Sequence, residues 1–332
     1  MSHTQQSVLI TGGAGFIGSH LAETLLSQGT FVTIIDDLST GEWRNIAHME
    51  PNPNFRAIIA SVSDRRLIHE EVSRCGMVYH LASAVGVKLI IQKPVETVQR
   101  IVHGTDAVAE ACSKYRRPLL LTSTSEVYGK SVQIPFCEED NVVMGATSKR
   151  RWAYAAAKAL DEFLILAHHY QTSLPVFIVR LFNTVGPRQA SRYGMVLPRF
   201  VEAALQNRPI EVYGTGQQSR CFCSVFDVVE GIIAVGRCSG AIGKVVNLGS
   251  AEEVTMTELA DRVIRRSGSE SEIVYVPYGE AYGPGFDDMQ RRVPSLDRAA
   301  ELIGWKPRYS LDDIIRQVID DKKETVSVRY NE

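Results

Sequence analysis

The apolar run "SVLIT" (7–11) passes directly into "TGGAGFIG" (11–18) and then into a helical pattern with Ile17, Leu21 and Leu25 on one face. No other stretch constrains the fold as much as this strand, glycine loop and helix. Gly12, Gly15 and Gly18 let the chain turn tightly, approach a bound group closely and pack a helix onto a strand. The opening helix offers unsatisfied N–H groups and a partial positive charge, which suit a pyrophosphate. Such a loop in this context is a dinucleotide-binding fingerprint.

The alternation continues along the chain. Strand-like runs fall at 31–35, 55–60, 77–82, 118–123 and 175–182, and helical patterns at 16–28, 64–74, 95–115 and 152–171. Continuous apolar strands alternating with helices predict a parallel sheet covered on both faces. That is the doubly wound α/β (Rossmann) architecture, whose ligands bind beyond the carboxyl ends of the strands. After residue 183 prolines and glycines cluster and the pattern loosens. A helix near 196–206 and a strand at 210–213 leave the sheet, whereas 225–236 and 244–249 read as a further helix–strand unit. Residues 1–182, with 215–250 returning, are thus expected to form the dinucleotide domain. Residues 183–214 and 251–332 are expected to form a smaller α/β substrate lobe.

Composition removes other classes. The chain has 332 residues, with 36 Lys+Arg against 38 Asp+Glu and a net charge of −2, so no basic field calls for nucleic acid or an anionic membrane. No apolar run reaches the roughly 18–20 residues of a membrane span. "MSHTQQSVLITGG" lacks the basic and apolar regions of a signal peptide. The six cysteines form no CxxC pair and no secreted framework, which reads as reduced thiols in the cytoplasm. Without a Cys/His cluster no metal site is expected.

Asp36 ends the second strand, 18 residues after Gly18. A carboxylate there accepts hydrogen bonds from a ribose and repels a 2′-phosphate, favouring NAD over NADP. The alternative is a turn cap for "DDLSTGE", and Asp37 is the second candidate. Phe16 and Ile17 in the loop, and Ser61 and Leu81 near later strand ends, are further candidate cofactor contacts. Tyr154 and Lys158, in "WAYAAAK", are i and i+4 and share a helix face. A tyrosine with an ordinary pKa of about 10 is a poor base. A cation one turn away lowers that value and makes the phenolate usable. Thr124, Ser125 and Glu126 stand at the end of "PLLLTS", where that helix can face them.

With these residues the chain resembles the extended short-chain dehydrogenase/reductases, the nucleotide-sugar epimerases, dehydratases and decarboxylases. The resemblance runs from "LITGGAGFIGSH" through "RLFNTVGPR" and "VYGTGQQSRCF" to "LIGWKPRYSLDDII". It implies a catalytic Thr124–Tyr154–Lys158 group. Thr124 would bond the sugar O4, Tyr154 would take its proton, and Lys158 would hold the nicotinamide ribose. It also implies substrate contacts from Asn183, Arg188, Arg220 and Arg292. Dehydratases of the family carry Asp-Glu after the Thr, whereas this chain has Ser125-Glu126. "STSEVYG", "KRRWAYAAAK" and "YGPGFDDMQRRVPSL" are similar to UDP-glucuronate decarboxylases. In them the arginine matching Arg292 is a suspected catalytic group, and Ser125, Glu126 and Arg292 would position the ring and handle the C5 proton. A UDP-hexose or UDP-hexuronate 4-epimerase, a 4,6-dehydratase and a non-enzymatic dinucleotide-binding regulator are the alternatives. The chain departs from the family pattern at Ile101, where Asn is usual, at Ser61, where an acid is usual, and in "HLASAVGVKLI" (80–90). The resemblance further implies a homodimer paired through the helices near 95–115 and 152–171.

Overall fold

A computed structural model describes residues 7–83, 93–191, 195–282 and 289–329. Most of the departing loop at 80–90, and part of the "YGPGFDDMQRRVPSL" segment, lie outside these. The strands are β1 (Ser7–Thr11), β2 (Phe31–Asp36), β3 (Phe55–Ile59), β4 (Met77–His80), β5 (Leu119–Thr124), β6 (Val176–Leu181), β7 (Thr184–Val185), β8 (Ile210–Tyr213), β9 (Ser219–Cys221), β10 (Cys223–Ser224), β11 (Lys244–Leu248), β12 (Glu253–Thr255) and β13 (Ile273–Val276). Seven form one parallel sheet in the order β11-β6-β5-β4-β1-β2-β3. The order reverses between β1 and β4, which opens a crevice at their carboxyl ends. The doubly wound expectation holds, and β11 joins the sheet beside β6.

Alternation along each strand divides the core. Val8 and Ile10 belong to the apolar cluster under the Phe16–Ser27 and Val225–Arg237 helices, with Leu21, Leu25, Val228 and Ile232. Leu9 points the other way, into the cluster under the Arg65–Arg74, Pro94–Tyr115 and Trp152–Thr172 helices. Each fully buried Leu or Ile contributes about 1.5–3 kcal/mol, so both faces hold the helices firmly. Pro94 at the first turn of the Pro94–Tyr115 helix forfeits only an N–H that has no helical partner.

The second layer is smaller. The Val196–Leu205, Met256–Ser267 and Leu311–Arg329 helices share a separate cluster that includes Leu197, Phe200, Leu259 and Ile315. Three two-stranded pairs, β10-β7, β12-β9 and β13-β8, stitch this layer together. The sequence "TMTEL" starts the Met256–Ser267 helix with a capping box: Thr255 and Glu258 bond each other's backbone N–H. Gly268, at φ 67°, ends it in the left-handed conformation. No helix among the described residues is long and apolar enough to cross a membrane.

Buried polar groups lock the Trp152–Thr172 helix to the sheet. Arg180 on β6 grips both oxygens of Glu162, at 3.0 and 2.7 Å. Ser123 of β5 donates to the same carboxylate. The Tyr128 ring lies 4.7 Å from the Arg180 guanidinium, and its hydroxyl donates to Asn247 of β11 at 2.8 Å. On the other side, the His80 ring links Thr11 of β1, at 2.7 Å, to Thr105 of the Pro94–Tyr115 helix, at 3.1 Å.

Two outcomes follow. Breaking a buried ion pair from one side leaves a stranded charge, so Arg180→Leu should lower unfolding stability by about 3–5 kcal/mol in urea titration. Burial also lowers the His80 pKa from 6.5 to about 3, and that of His20 to about 4. Unfolding lets both rings take up protons below pH 6.5, so the unfolded state binds more protons there. Stability should therefore fall as pH drops from 6.5 toward 4, and His80→Asn should flatten that slope in thermal melts at pH 5 and 7.

Candidate active site

One cavity of about 630 Å3 runs from the glycine loop across the carboxyl end of β5 into the smaller layer. Its size is that of a small-molecule site. At the loop end Gly12 has φ +74°, and a Cβ there would lie 2.7 Å from the Ala82 backbone nitrogen. A Cβ on Gly18 would meet the Gly12 carbonyl oxygen at 2.1 Å. The loop thus folds back on itself against the end of β4. Gly15 caps the Phe16–Ser27 helix and lines the cavity with Gly12, Phe16, Ile17 and Gly18. The helix N-terminus is therefore open to an anion.

Asp36 is buried at the end of β2. Its two oxygens accept from the backbone N–H groups of Ala14 and Leu38, at 2.9 and 2.8 Å. It is thus both the turn cap of one reading and a cavity-facing carboxylate of the other, since each oxygen keeps a second lone pair. Burial pushes its pKa up, against those hydrogen bonds. Asp37 instead pairs with Arg100 of the Pro94–Tyr115 helix at 3.1 Å. Ser61 and Leu81 line the cavity, Ser61 at the exposed rim. Ile101 is buried against Tyr154 and Ala157.

The centre lies where β5 ends. Thr124 Oγ1 accepts from the Glu126 N–H at 3.2 Å and also hydrogen-bonds the Tyr154 phenol. Ser125–Tyr128 form one 3₁₀ turn that puts Ser125 and Glu126 on the cavity wall. Tyr154 and Lys158 face the same wall from the first turns of their helix. Lys158 is buried, 3.2 Å from Asp161. One expectation needs correction: the phenol is not lowered by its lysine. Burial, then Glu126 and Asp161, push Tyr154 above its ordinary value, opposed by Thr124 and Arg151.

Glu126 is the electrostatic hub. Arg151 bonds both its oxygens, and Arg292 stands 3.5 Å away. Although burial opposes it, Arg151 and then Arg292 hold this carboxyl below its ordinary value. Arg220 is buried nearby and donates to the carbonyls of Ser219, at 2.7 Å, and Gln290, at 3.2 Å. Asn183, at φ 22°, donates to Cys221 O at 2.9 Å. Arg188 sits on the cavity wall but pairs with Glu23 at 2.7 Å, and its backbone N–H donates to Asp321 at 3.2 Å. All the candidate residues line the one cavity. Arg151 was missed as a site residue. Its signal was the "RRW" that precedes Tyr154, but its grip on Glu126 spans 25 residues and appears only on folding.

Comparison with known proteins identifies the family. A family model described as GDP-mannose 4,6 dehydratase matches residues 9–318. UDP-N-acetyl-alpha-D-glucosaminuronate decarboxylase of Bacillus cytotoxicus is 41% identical over 312 residues, 94% of this chain and 96% of that protein. UDP-glucuronic acid decarboxylase 2 of Arabidopsis thaliana is 35% identical over 96% of this chain and 68% of its own length. A solved structure of UDP-glucuronic acid 4-epimerase from Bacillus cereus, in complex with UDP-glucuronic acid and NAD, superposes with a TM-score of 0.86 at 26% identity. It covers 96% of this chain and all of that one. A glycine loop, a Thr–Tyr–Lys centre and near full-length identity with these decarboxylases converge: the chain belongs to the GDP-mannose 4,6-dehydratase family of extended short-chain dehydrogenase/reductases.

Proposed function

We propose that the protein uses NAD to oxidise C4 of a UDP-hexuronate and then releases the C6 carboxylate as CO2. One observation carries this reading. The cavity that begins at a dinucleotide loop ends beside a buried carboxylate, Glu126, held by Arg151 and Arg292. Planar guanidinium groups suit an anionic sugar, whose carboxylate and diphosphate they can bind through two oxygens at once. The two decarboxylase relatives act in name on uronates, which supports the same choice.

The residues divide the work. Gly12, Gly15 and Gly18 cradle the cofactor diphosphate, and the Asp36 carboxylate accepts from the adenosine ribose while repelling a 2′-phosphate. Bound NAD would supply the hydride acceptor for C4. Thr124 holds O4, and Tyr154 takes the O4 proton as the C4–H bond breaks. Its raised pKa calls for further positive charge at the nicotinamide end before it ionises, which the oxidised cofactor would bring. The product is a β-keto acid. Its C5–C6 bond then breaks, CO2 leaves, and the electron pair moves through C5 to O4; a proton taken up at C5 gives the 4-keto pentose, and return of the hydride to C4 with the Tyr154 proton to O4 would give the UDP-pentose. Arg292 stabilises that enolate, and Ser125 fixes the ring. Glu126 is held ionised, so it accepts hydrogen bonds and orients Arg151 and Arg292 rather than donating a proton at the start. Arg220 and Asn183 face the diphosphate end, and Arg188 braces that wall through Glu23.

A homodimer completes the proposal. Leu160, Phe163 and Tyr170 are exposed on one face of the Trp152–Thr172 helix, 50%, 68% and 77% accessible, beside the Pro94–Tyr115 helix. Such an apolar stripe on adjacent helices suits a second copy.

Proton NMR of UDP-glucuronate and UDP-N-acetylglucosaminuronate with enzyme and NAD should show a UDP-pentose or its 4-keto form. An inverted C4 with C6 retained would make the protein a 4-epimerase, and no turnover of either would overturn the reading. Tyr154→Phe should lower kcat by about 100-fold or more. Light scattering should give twice the chain mass, reduced to one by Phe163→Asp; a monomeric wild type would refute the dimer.

A further inference from the structure

Lys158 and Asp161 are 2% and 0% exposed, and their charged atoms lie 3.2 Å apart. They sit three residues apart on the helix that carries Tyr154. Lys158 lines the cavity, whereas Asp161 stands behind it, beside Thr105. The charges packed around this pair have partners of their own. Glu162 is gripped by Arg180 and Glu126 by Arg151. The His80 ring, bonded to Thr105 at 3.1 Å, is neutral near pH 7 because burial lowers its pKa to about 3. Asp161 is thus the counter-ion of the lysine at the cofactor end.

Oxidised nicotinamide carries a positive charge that the reduced form lacks. A buried lysine facing it opposes the oxidised form, and low dielectric makes that opposition strong. A carboxylate directly behind the lysine cancels it. We propose that Asp161 is a positioning residue that acts through Lys158 to let the site hold NAD+ in preference to an equally tight hold on NADH. The inference rests on the NAD-dependent reading above. A pair that merely keeps the helix in place would treat the two redox forms alike.

The test is the dissociation constant of each form, measured by calorimetry on nucleotide-stripped protein. In Asp161→Asn, NAD+ should weaken by about tenfold relative to NADH, the scale of one uncompensated charge at partly screened range. Asp161→Glu, which keeps the charge, should hold the wild-type ratio. Asp161→Ser also removes the charge and is measured alongside, so that a folding failure of one variant leaves the other to decide. Equal changes for both forms would overturn the role of Asp161 and leave the cofactor reading standing. A wild-type protein that binds neither form would overturn that reading itself, and this inference with it.

Discussion

The ion pair between Arg180 and Glu162 sets the position of almost everything chemical in this molecule. Glu162 lies one turn beyond Lys158, and Arg180 stands on β6, between β11 and β5. Because Arg180 meets both oxygens of Glu162, the helix cannot slide or roll without losing two charge-assisted bonds. Ser123 ties the same carboxylate to the residue just before Thr124. The register of Tyr154 and Lys158 against Thr124 is therefore fixed from behind by the Arg180–Glu162 pair, which does not line the cavity, and by Ser123, which does. Tyr128, stacked on Arg180 and bonded to Asn247, extends this control to β11.

The cavity repeats one device, in which a buried carboxylate is paired with a cationic neighbour. Glu126 has Arg151 and Arg292, which hold it below its ordinary value; Asp161 has Lys158, which opposes the burial that raises it. Tyr154 is the exception, since its surroundings favour the neutral phenol. The protein alone thus keeps the Tyr154 phenol protonated, and the positive charge that would ionise it has to arrive with a ligand.

Much of this was legible in the sequence. Strands such as "PLLLTS" and "PVFIVRLF" stand out because burial on both faces demands unbroken apolar runs, and the glycine loop because its geometry tolerates few other residues. The pairs β9-β12 and β8-β13 did not show. They are two short strands each, joined over more than 30 residues, with no periodicity long enough to read. The shared helix face of Tyr154 and Lys158 was legible in their spacing, and Thr124 joined them through the family resemblance. Arg151's partner was not, because it lies 25 residues away in sequence, and the place of Asp161 was not, because an i,i+3 neighbour on a helix faces either solvent or core according to a tertiary rotation that spacing alone leaves open. The effect of Lys158 on Tyr154 was misjudged for the same reason: desolvation depends on what closes over the ring.

The chain crosses between its two layers repeatedly: out of the sheet after β6, back for the Val225–Arg237 helix and β11, and out again at β12. During synthesis the edge position beside β6 must stay vacant while residues 182–243 emerge, the Val225–Arg237 helix among them, because β11 is made after them. Neither layer can then be excised as a contiguous cassette, and a graft of the substrate-facing layer onto another dinucleotide scaffold would have to carry several chain breaks. In a family lineage, exchange of specificity is thereby channelled into point substitutions on the cavity wall rather than into the shuffling of whole segments.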